Sequence, residues 1–308
     1  MKQTALVTGG AGFIGSHLCD ALLAEGFAVR VLDNLSTGKE SNVPAGCDLL
    51  RGSILDEAAL RNAMREVSIV LHNAARVSIR DSIDHFLEDA ETNLFGTLRV
   101  LQASAAAGVR RFIYASSMAV YADSPQPRPI PENAVCEPIS PYGIAKLASE
   151  RYVFMLGKEL RIEPVVLRYF NTYGTRQTFT PYVGVLTIFV TQLLQRKPIT
   201  IFGDGEQIRD FVSVADVVQA NLLAVRNPAA AGQTFNIGTS KGTSVNSLAQ
   251  MLRARIYPDA EVIHKPARPE ELRFSIADIS NAKRVLHYEP RGNLAADLTQ
   301  IIPTIQNS

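Results

Sequence analysis

The stretch 4–34, TALVTGGAGFIGSHLCDALLAEGFAVRVLDN, constrains this chain more than any other, because strand-forming residues run straight into Gly9, Gly10, Gly12 and Gly15. After Ser16 the apolar residues Leu18, Leu22 and Leu23 recur with a helical period, and a second strand-like run ends at Asp33. Strand, turn, helix and strand make a βαβ unit. Glycines let the backbone turn tightly and approach a diphosphate, while the helix start offers unpaired N–H groups and a positive dipole end. Asp33 lies roughly 20 residues beyond the glycines, where a carboxylate can accept two hydrogen bonds from an adenosine ribose and oppose a 2′-phosphate. The spacing reads as Gly10-x-Gly12-x-x-Gly15 or as Thr8-Gly9-x-x-Gly12-x-x-Gly15. Glycines alone also suit a turn that holds no ligand, so the weight falls on the strand, helix and acid around them.

A length of 308 residues suggests two domains, or one domain with a lobe. With 31 Lys+Arg against 30 Asp+Glu, no global field would attract nucleic acid or an anionic membrane. Cys19, Cys47 and Cys136 are scattered outside any metal-ligand spacing, which suits a reduced cytoplasm and predicts no metal centre. Glycines by residue 9 leave no room for the apolar core of a signal peptide, and the most apolar later run, 183–190, falls short of the roughly 20 residues that a bilayer requires. A soluble cytoplasmic protein is expected.

Beyond Asp33, the turn of Asn34, Ser36, Thr37 and Gly38 is placed to wrap the adenosine side of a dinucleotide, although a solvated loop would look the same. The run VSIVLHN at 67–73 reads as a strand buried on two sides, ending in Ala74 and Ala75. Two small residues there suit either a flat ligand or close helix–sheet packing. Helical periodicity follows from Phe86 to Gly108, and then a strand from Arg111 that ends in Ser116 and Ser117. Right-handed crossovers between these strands give a parallel sheet with helices on both faces and a ligand crevice at its carboxyl edge.

Ser140 and Pro141 form a helix start that places Tyr142 and Lys146, four residues apart, on one helix face. A free tyrosine titrates near pH 10, and an ammonium alongside favours its phenolate. A serine hydroxyl from the facing strand end can complete a proton path. Tyr-x-x-x-Lys alone is commonplace on helix surfaces; a serine-tipped strand and a dinucleotide turn give it an acid–base reading.

Assembled, these motifs resemble the extended short-chain dehydrogenase/reductases, specifically NAD-dependent nucleotide-sugar epimerases of the UDP-galactose (UDP-glucose) 4-epimerase type. The resemblance extends through Arg168-Tyr-Phe-Asn171-x-Tyr-Gly, Phe202-Gly-Asp-Gly-x-x-x-Arg209-Asp-Phe and Arg268-Pro-x-Glu271, covering nearly the whole chain. It implies an α/β fold, a Rossmann-type doubly wound parallel sheet over 1–168, with a smaller, interleaved α/β lobe over 169–308 that binds the nucleotide sugar. Late strands would return to the main sheet from about 207–238. The implied NAD contacts are Gly9, Gly12, Phe13, Ile14, Gly15, Asp33, Asn34, Ser36, Thr37, Gly38, Ser53, Ile54, Leu71, Ala74, Ala75, Asn93, Tyr142, Lys146 and Tyr169.

By the same resemblance Tyr142 is the base, Lys146 holds the nicotinamide ribose and lowers the tyrosine pKa, and Ser117 binds the sugar hydroxyl. Asn171, Arg209 and Arg268 would hold the substrate diphosphate, Phe202 the nucleobase, Glu271 the nucleotide ribose, and Ser275 would flank the sugar. Each arginine has a blander reading as a surface ion pair, and Ser275 as an ordinary strand or loop serine. The implied reaction removes hydrogen from C4 of a UDP-sugar and returns it to the other face of a 4-keto sugar, in a homodimer built on helices near 86–107 and 142–158. The chain departs from the family pattern at Ser53, where Asp is frequent, and at Ser213, where Tyr is frequent. Met118 and Ala119 supply no acid of the kind that dehydratases and decarboxylases keep near the active-site hydroxyl, which favours epimerisation. A reductase would use the same Tyr/Lys/Ser set, whereas a noncatalytic NAD sensor would need none of it.

Overall fold

The computed structural model describes residues 2–124, 126–177, 184–267 and 272–306. Its strands are β1 (Thr4–Thr8), β2 (Ala28–Asp33), β3 (Asp48–Arg51), β4 (Val67–His72), β5 (Arg111–Ser117), β6 (Glu163–Tyr169), β7 (Asn171–Tyr173), β8 (Ile199–Phe202), β9 (Ile208–Ser213), β10 (Gln233–Ile237), β11 (Gly242–Ser244), β12 (Val262–Lys265) and β13 (Phe274–Ser275). The helices are α1 (Phe13–Ala24), α2 (Glu57–Ala63), α3 (Asp81–Asp84), α4 (Phe86–Ala90), α5 (Gly96–Ala106), α6 (Pro141–Glu159), α7 (Val185–Leu194), α8 (Val214–Arg226), α9 (Val245–Ile256) and α10 (Leu294–Gln306).

Seven parallel strands form the central sheet in the order β10-β6-β5-β4-β1-β2-β3. Strands at its centre are apolar on both faces because both are covered. Leu18 and Leu22 of α1 and Val217 and Ala220 of α8 pack on one side; Leu60 of α2, Leu101 of α5 and Val153 of α6 pack on the other. β1 lies between β2 and β4, so successive crossovers leave it in opposite directions and open a crevice at the carboxyl ends of β1 and β4.

A second core, built on Phe189, Leu248, Leu252 and Leu298, supports the smaller sheets. There β9 pairs with β7, β11 and β13, and β8 with β12. The expected return to the main sheet therefore needs correction: β10 does return, beside β6, but the segment around 207–211 does not. The chain bends at Phe170, whose N–H donates to Ile237 O, and β7 then leads away and recruits β9 into the second sheet.

The helix expected over 86–108 is interrupted by a π-turn at Glu91–Phe95, centred on Asn93. Its closing residue, Gly108, takes the left-handed conformation (φ +71°) that a helix end favours. No helix among the described residues is long and apolar enough to cross a membrane.

Candidate active site

The crevice begins at the glycine turn, whose shape is dictated by close backbone contacts. Gly9 has φ +72°, and a Cβ there would lie 2.8 Å from Ala74 Cα. A Cβ on Gly15 would lie 2.1 Å from Gly9 O, so only glycine lets α1 sit directly on the turn. Gly12 is the N-cap of α1 and supplies no side-chain cap, leaving the first-turn N–H groups around Phe13, Ile14 and Gly15 without a side-chain acceptor.

Asp33 is buried at the end of β2; its Oδ2 accepts from Ala11 N (2.9 Å) and its Oδ1 from Leu35 N (2.8 Å). Two oxygens fixed in this way retain lone pairs for a diol. Ser36 N donates to Asn34 Oδ1, and the loop reaches back to the turn, where Lys39 N donates to Ala11 O and Gly38 approaches the Ala11 backbone too closely for a Cβ. Thr37 lies in the same loop. Ser53 accepts from Leu55 N, so its hydroxyl closes its own turn, and Ile54 packs against Gly96. Leu71 has no exposed surface and belongs to the core.

Ala74 and Ala75 lie in a strap following β4 that is held from behind. Asn93 Oδ1 accepts from Arg76 N (3.0 Å), and its Nδ2 donates to Arg76 O (3.0 Å) and Asp89 Oδ1 (2.8 Å). Asn93 is thus committed to the strap. Tyr169 is also committed, its hydroxyl accepting from Asn221 Nδ2 at 2.8 Å.

The acid–base set gathers at the end of β5. Ser140 Oγ caps α6 by accepting from Gly143 N, with Pro141 at the first turn. A Cβ on Gly143 would lie 2.2 Å from Ala119 O, so the helix start is pressed against the turn that follows Ser117. This brings the Tyr142 hydroxyl and Ser117 close enough to interact. One turn on, Lys146 Nζ donates to Ala115 O (2.8 Å) and lies 5.8 Å from the Tyr142 ring centre.

Burial pushes the phenol up to about 12; its bond with Ser117 pulls the other way, and Asp89 adds to the upward push. Burial also brings Lys146 down to about 8, opposed by the carboxylates of Asp89 and Glu150. The expectation that lysine would favour the phenolate therefore needs a correction. Here the ammonium points to a backbone carbonyl, desolvation prevails, and the phenol is protonated at neutral pH.

Asn171, on β7, has a buried Oδ1 without a hydrogen-bond partner among the described residues. Arg209 lies on β9 beside Ser275 of β13, with its Nη1 donating to Ile208 O. Ser275 is wholly buried and its Oγ has no partner among the described residues. Phe202 ends β8. Arg268 and Glu271 lie outside the described residues. Ser213, which stands where tyrosine was expected, caps α8 by accepting from Ala215 N.

Sequence reasoning passed over three buried groups around the acid–base pair. His72 bridges Thr8 Oγ1 (2.7 Å) and Thr97 Oγ1 (3.0 Å), held neutral by burial that lowers its pKa to about 3. Glu150 accepts from Arg168 Nε (2.9 Å), Arg168 Nη2 (2.6 Å) and Ser116 Oγ. Asp89 is the third. Spacing could have signalled two of them: Tyr142, Lys146 and Glu150 recur every fourth residue on α6, and Asp89 and Asn93 are four apart.

A doubly wound sheet, a glycine cradle at its switch point and a Tyr/Lys/Ser cluster beside it define a dinucleotide-dependent enzyme acting on a hydroxyl or carbonyl. The chain belongs to the NAD dependent epimerase/dehydratase family, which matches residues 5–238. It is 36% identical to the UDP-glucose 4-epimerase of Mycolicibacterium smegmatis, with 98% of each chain covered. A crystal structure of UDP-glucose 4-epimerase with UDP-glucose from Thermotoga maritima is 40% identical, with a TM-score of 0.94 and 99% of each chain covered. The UDP-N-acetyl-alpha-D-glucosaminuronate decarboxylase of Bacillus cytotoxicus is 31% identical, over 98% of this chain and 97% of its own. The family and these relatives support an NAD-dependent nucleotide-sugar epimerase.

Proposed function

We propose that the protein inverts C4 of UDP-hexoses, interconverting UDP-glucose and UDP-galactose and also their 2-acetamido counterparts. The observation that carries this reading is the Tyr142–Ser117 contact with Lys146 buried one turn below, at a strand end two places from the glycine turn in the sheet. The residues fit NAD: the cradle excludes Cβ atoms, the start of α1 is uncapped, and Asp33 offers two fixed oxygens while its charge opposes a 2′-phosphate.

When bound, NAD+ supplies a cationic ring and the two-electron acceptor and donor for C4. In its phenolate form, which the positive charge of the cofactor ring and of Lys146 would favour, Tyr142 takes the proton from the 4-hydroxyl and later returns one to the same oxygen, while Ser117 holds that oxygen within reach. Lys146 stiffens the base by anchoring to Ala115 O and adds positive charge to the pocket. Asn171 and Arg209 orient the diphosphate, so that the keto sugar can present either face to the fixed acid–base pair. Met118 and Ala119 follow Ser117 without a carboxylate, which favours epimerisation over decarboxylation.

The lobe from 169 onward, with β10 lent to the main sheet, serves as the sugar-nucleotide domain in this reading. Phe86, Leu87, Phe95, Ile144, Tyr152 and Met155 leave exposed apolar surface on and between α4, α5 and α6, which supports a homodimer through these helices.

Purified protein incubated with UDP-sugars and no added cofactor should yield the C4 epimers, and denatured protein should release NAD rather than NADP. A strict need for added NADH, with release of a reduced product, would turn the assignment to a reductase.

A further inference from the structure

The carboxylate left uncommitted beside the acid–base pair is Asp89. It sits on α4, which packs against α6, and is buried with only 1% exposure. Its Oδ1 accepts from Asn93 Nδ2, and its Oδ2 has no hydrogen-bond partner among the described residues. A buried carboxylate in that position is costly unless a charge faces it.

Three charged groups and the Tyr142 hydroxyl face this region. Arg76, from the strap, is drawn off by Asp81 of α3, which accepts from its Nη2 at 2.7 Å and itself repels Asp89. From α6 come Tyr142 and Lys146, and among the described residues the Lys146 ammonium donates to the neutral carbonyl of Ala115. The other carboxylate near Lys146, Glu150, is doubly engaged by Arg168. Asp89 is thus the carboxylate whose charge is left for Lys146.

We propose that Asp89 is a positioning residue of the active site: its charge keeps Lys146 protonated, and its bond to Asn93 fixes the strap 74–76 against the glycine turn. This rests on the reading of Tyr142 and Lys146 as the acid–base pair. Burial lifts the Asp89 carboxyl to about 6 and lowers Lys146 to about 8, so both are charged between those values. The same negative charge opposes the Tyr142 phenolate. Removing it lets Lys146 lose its proton, and Tyr142 ionise, at lower pH, so both limbs of the activity profile move in the acid direction.

The test compares kcat/KM against pH for wild-type, Asp89→Asn and Asp89→Glu holoenzymes. Asp89→Asn should move the profile down by about one pH unit, which is about tenfold less relative activity on the alkaline limb. Asp89→Glu should keep the wild-type optimum. A second readout is independent of turnover: in protein labelled with 13C at the aspartate carboxyls, the signal that vanishes in Asp89→Asn should titrate near pH 6, and near a higher pH in Lys146→Met. An activity loss with an unmoved optimum, or a carboxyl midpoint indifferent to Lys146→Met, would overturn the proposal. A wild-type protein that epimerises no UDP-sugar would instead sink the functional reading, and the carboxyl titration would still decide whether Asp89 and Lys146 are coupled.

Discussion

The two walls of the crevice are built by different means. On the side of β1, β4 and β5 the groups nearest the glycine turn and the acid–base pair are tied to protein, although Asn73 Oδ1, Tyr114 OH and Asp89 Oδ2 have no partner among the described residues: Asp33 accepts from two backbone N–H groups, Asn93 binds both the N–H and the C=O of Arg76, and Lys146 is tied to a carbonyl. On the side of β7, β9 and β13, Asn171 Oδ1 and Ser275 Oγ are buried without a partner among the described residues. Leaving such groups unpaired costs about 1–3 kcal/mol each, a cost that a polar ligand can relieve on binding. One wall is preorganised, as electrostatic catalysis requires. In the proposed function, the other wall keeps its unpaired polar atoms for the substrate.

The sharpest way to break that contrast is to attack the brace behind the preorganised wall. Arg168 on β6 holds Glu150 on α6 through two hydrogen bonds, and its Nη1 reaches Tyr121 OH (2.8 Å) and Glu132 O (3.0 Å). Arg168→Met strands the Glu150 charge in the interior and should cost about 3–5 kcal/mol of stability, read from urea denaturation. A loss under about 1 kcal/mol would mean that the wall does not depend on this pair.

Next in size is the hydroxyl that the brace serves. Tyr142→Phe keeps the ring and the packing and removes only the oxygen, and turnover should fall at least about a hundredfold, or about 2.7 kcal/mol of barrier. The melting temperature should barely move. Near-normal epimerisation by this variant would remove Tyr142 from the chemistry and leave the wall without a base.

Legibility in the sequence follows the same division. The glycine turn, Asp33, the cap at Ser140 and the Tyr142–Lys146 spacing are local, because steric exclusion and helical period act over a few residues. Long-range commitments were not visible. No local rule tells that β9 leaves the main sheet, since its pairing is set by β7 after the bend at Phe170. Nor does any tell that Ser53 spends its hydroxyl on its own turn, that Asn93 is occupied by Arg76, or that burial overrides the lysine at Tyr142. Desolvation depends on the whole surroundings of a group, and spacing reports only its neighbours.

The smallest expected effect tests the reserve wall. Ser275 is enclosed, its hydroxyl has no partner among the described residues, and its strand neighbour is Arg209, so a sugar oriented by Arg209 would bring its substituents toward β13. A phenol at this place would need space that serine does not take, and a pocket rejects a bulky 2-acetamido group by clash more strongly than it attracts one by an added contact. Ser275→Tyr should therefore reduce activity on UDP-N-acetylglucosamine by about tenfold or more while changing activity on UDP-glucose by less than about threefold. If Ser275 is instead a core serine with no view of the sugar, the added ring overpacks the interior, melting falls by the equivalent of about 1–3 kcal/mol, and both activities decline together. Measuring the two epimerisations and the melting curve in one preparation separates these cases, because a gate changes the ratio of activities and a packing defect does not.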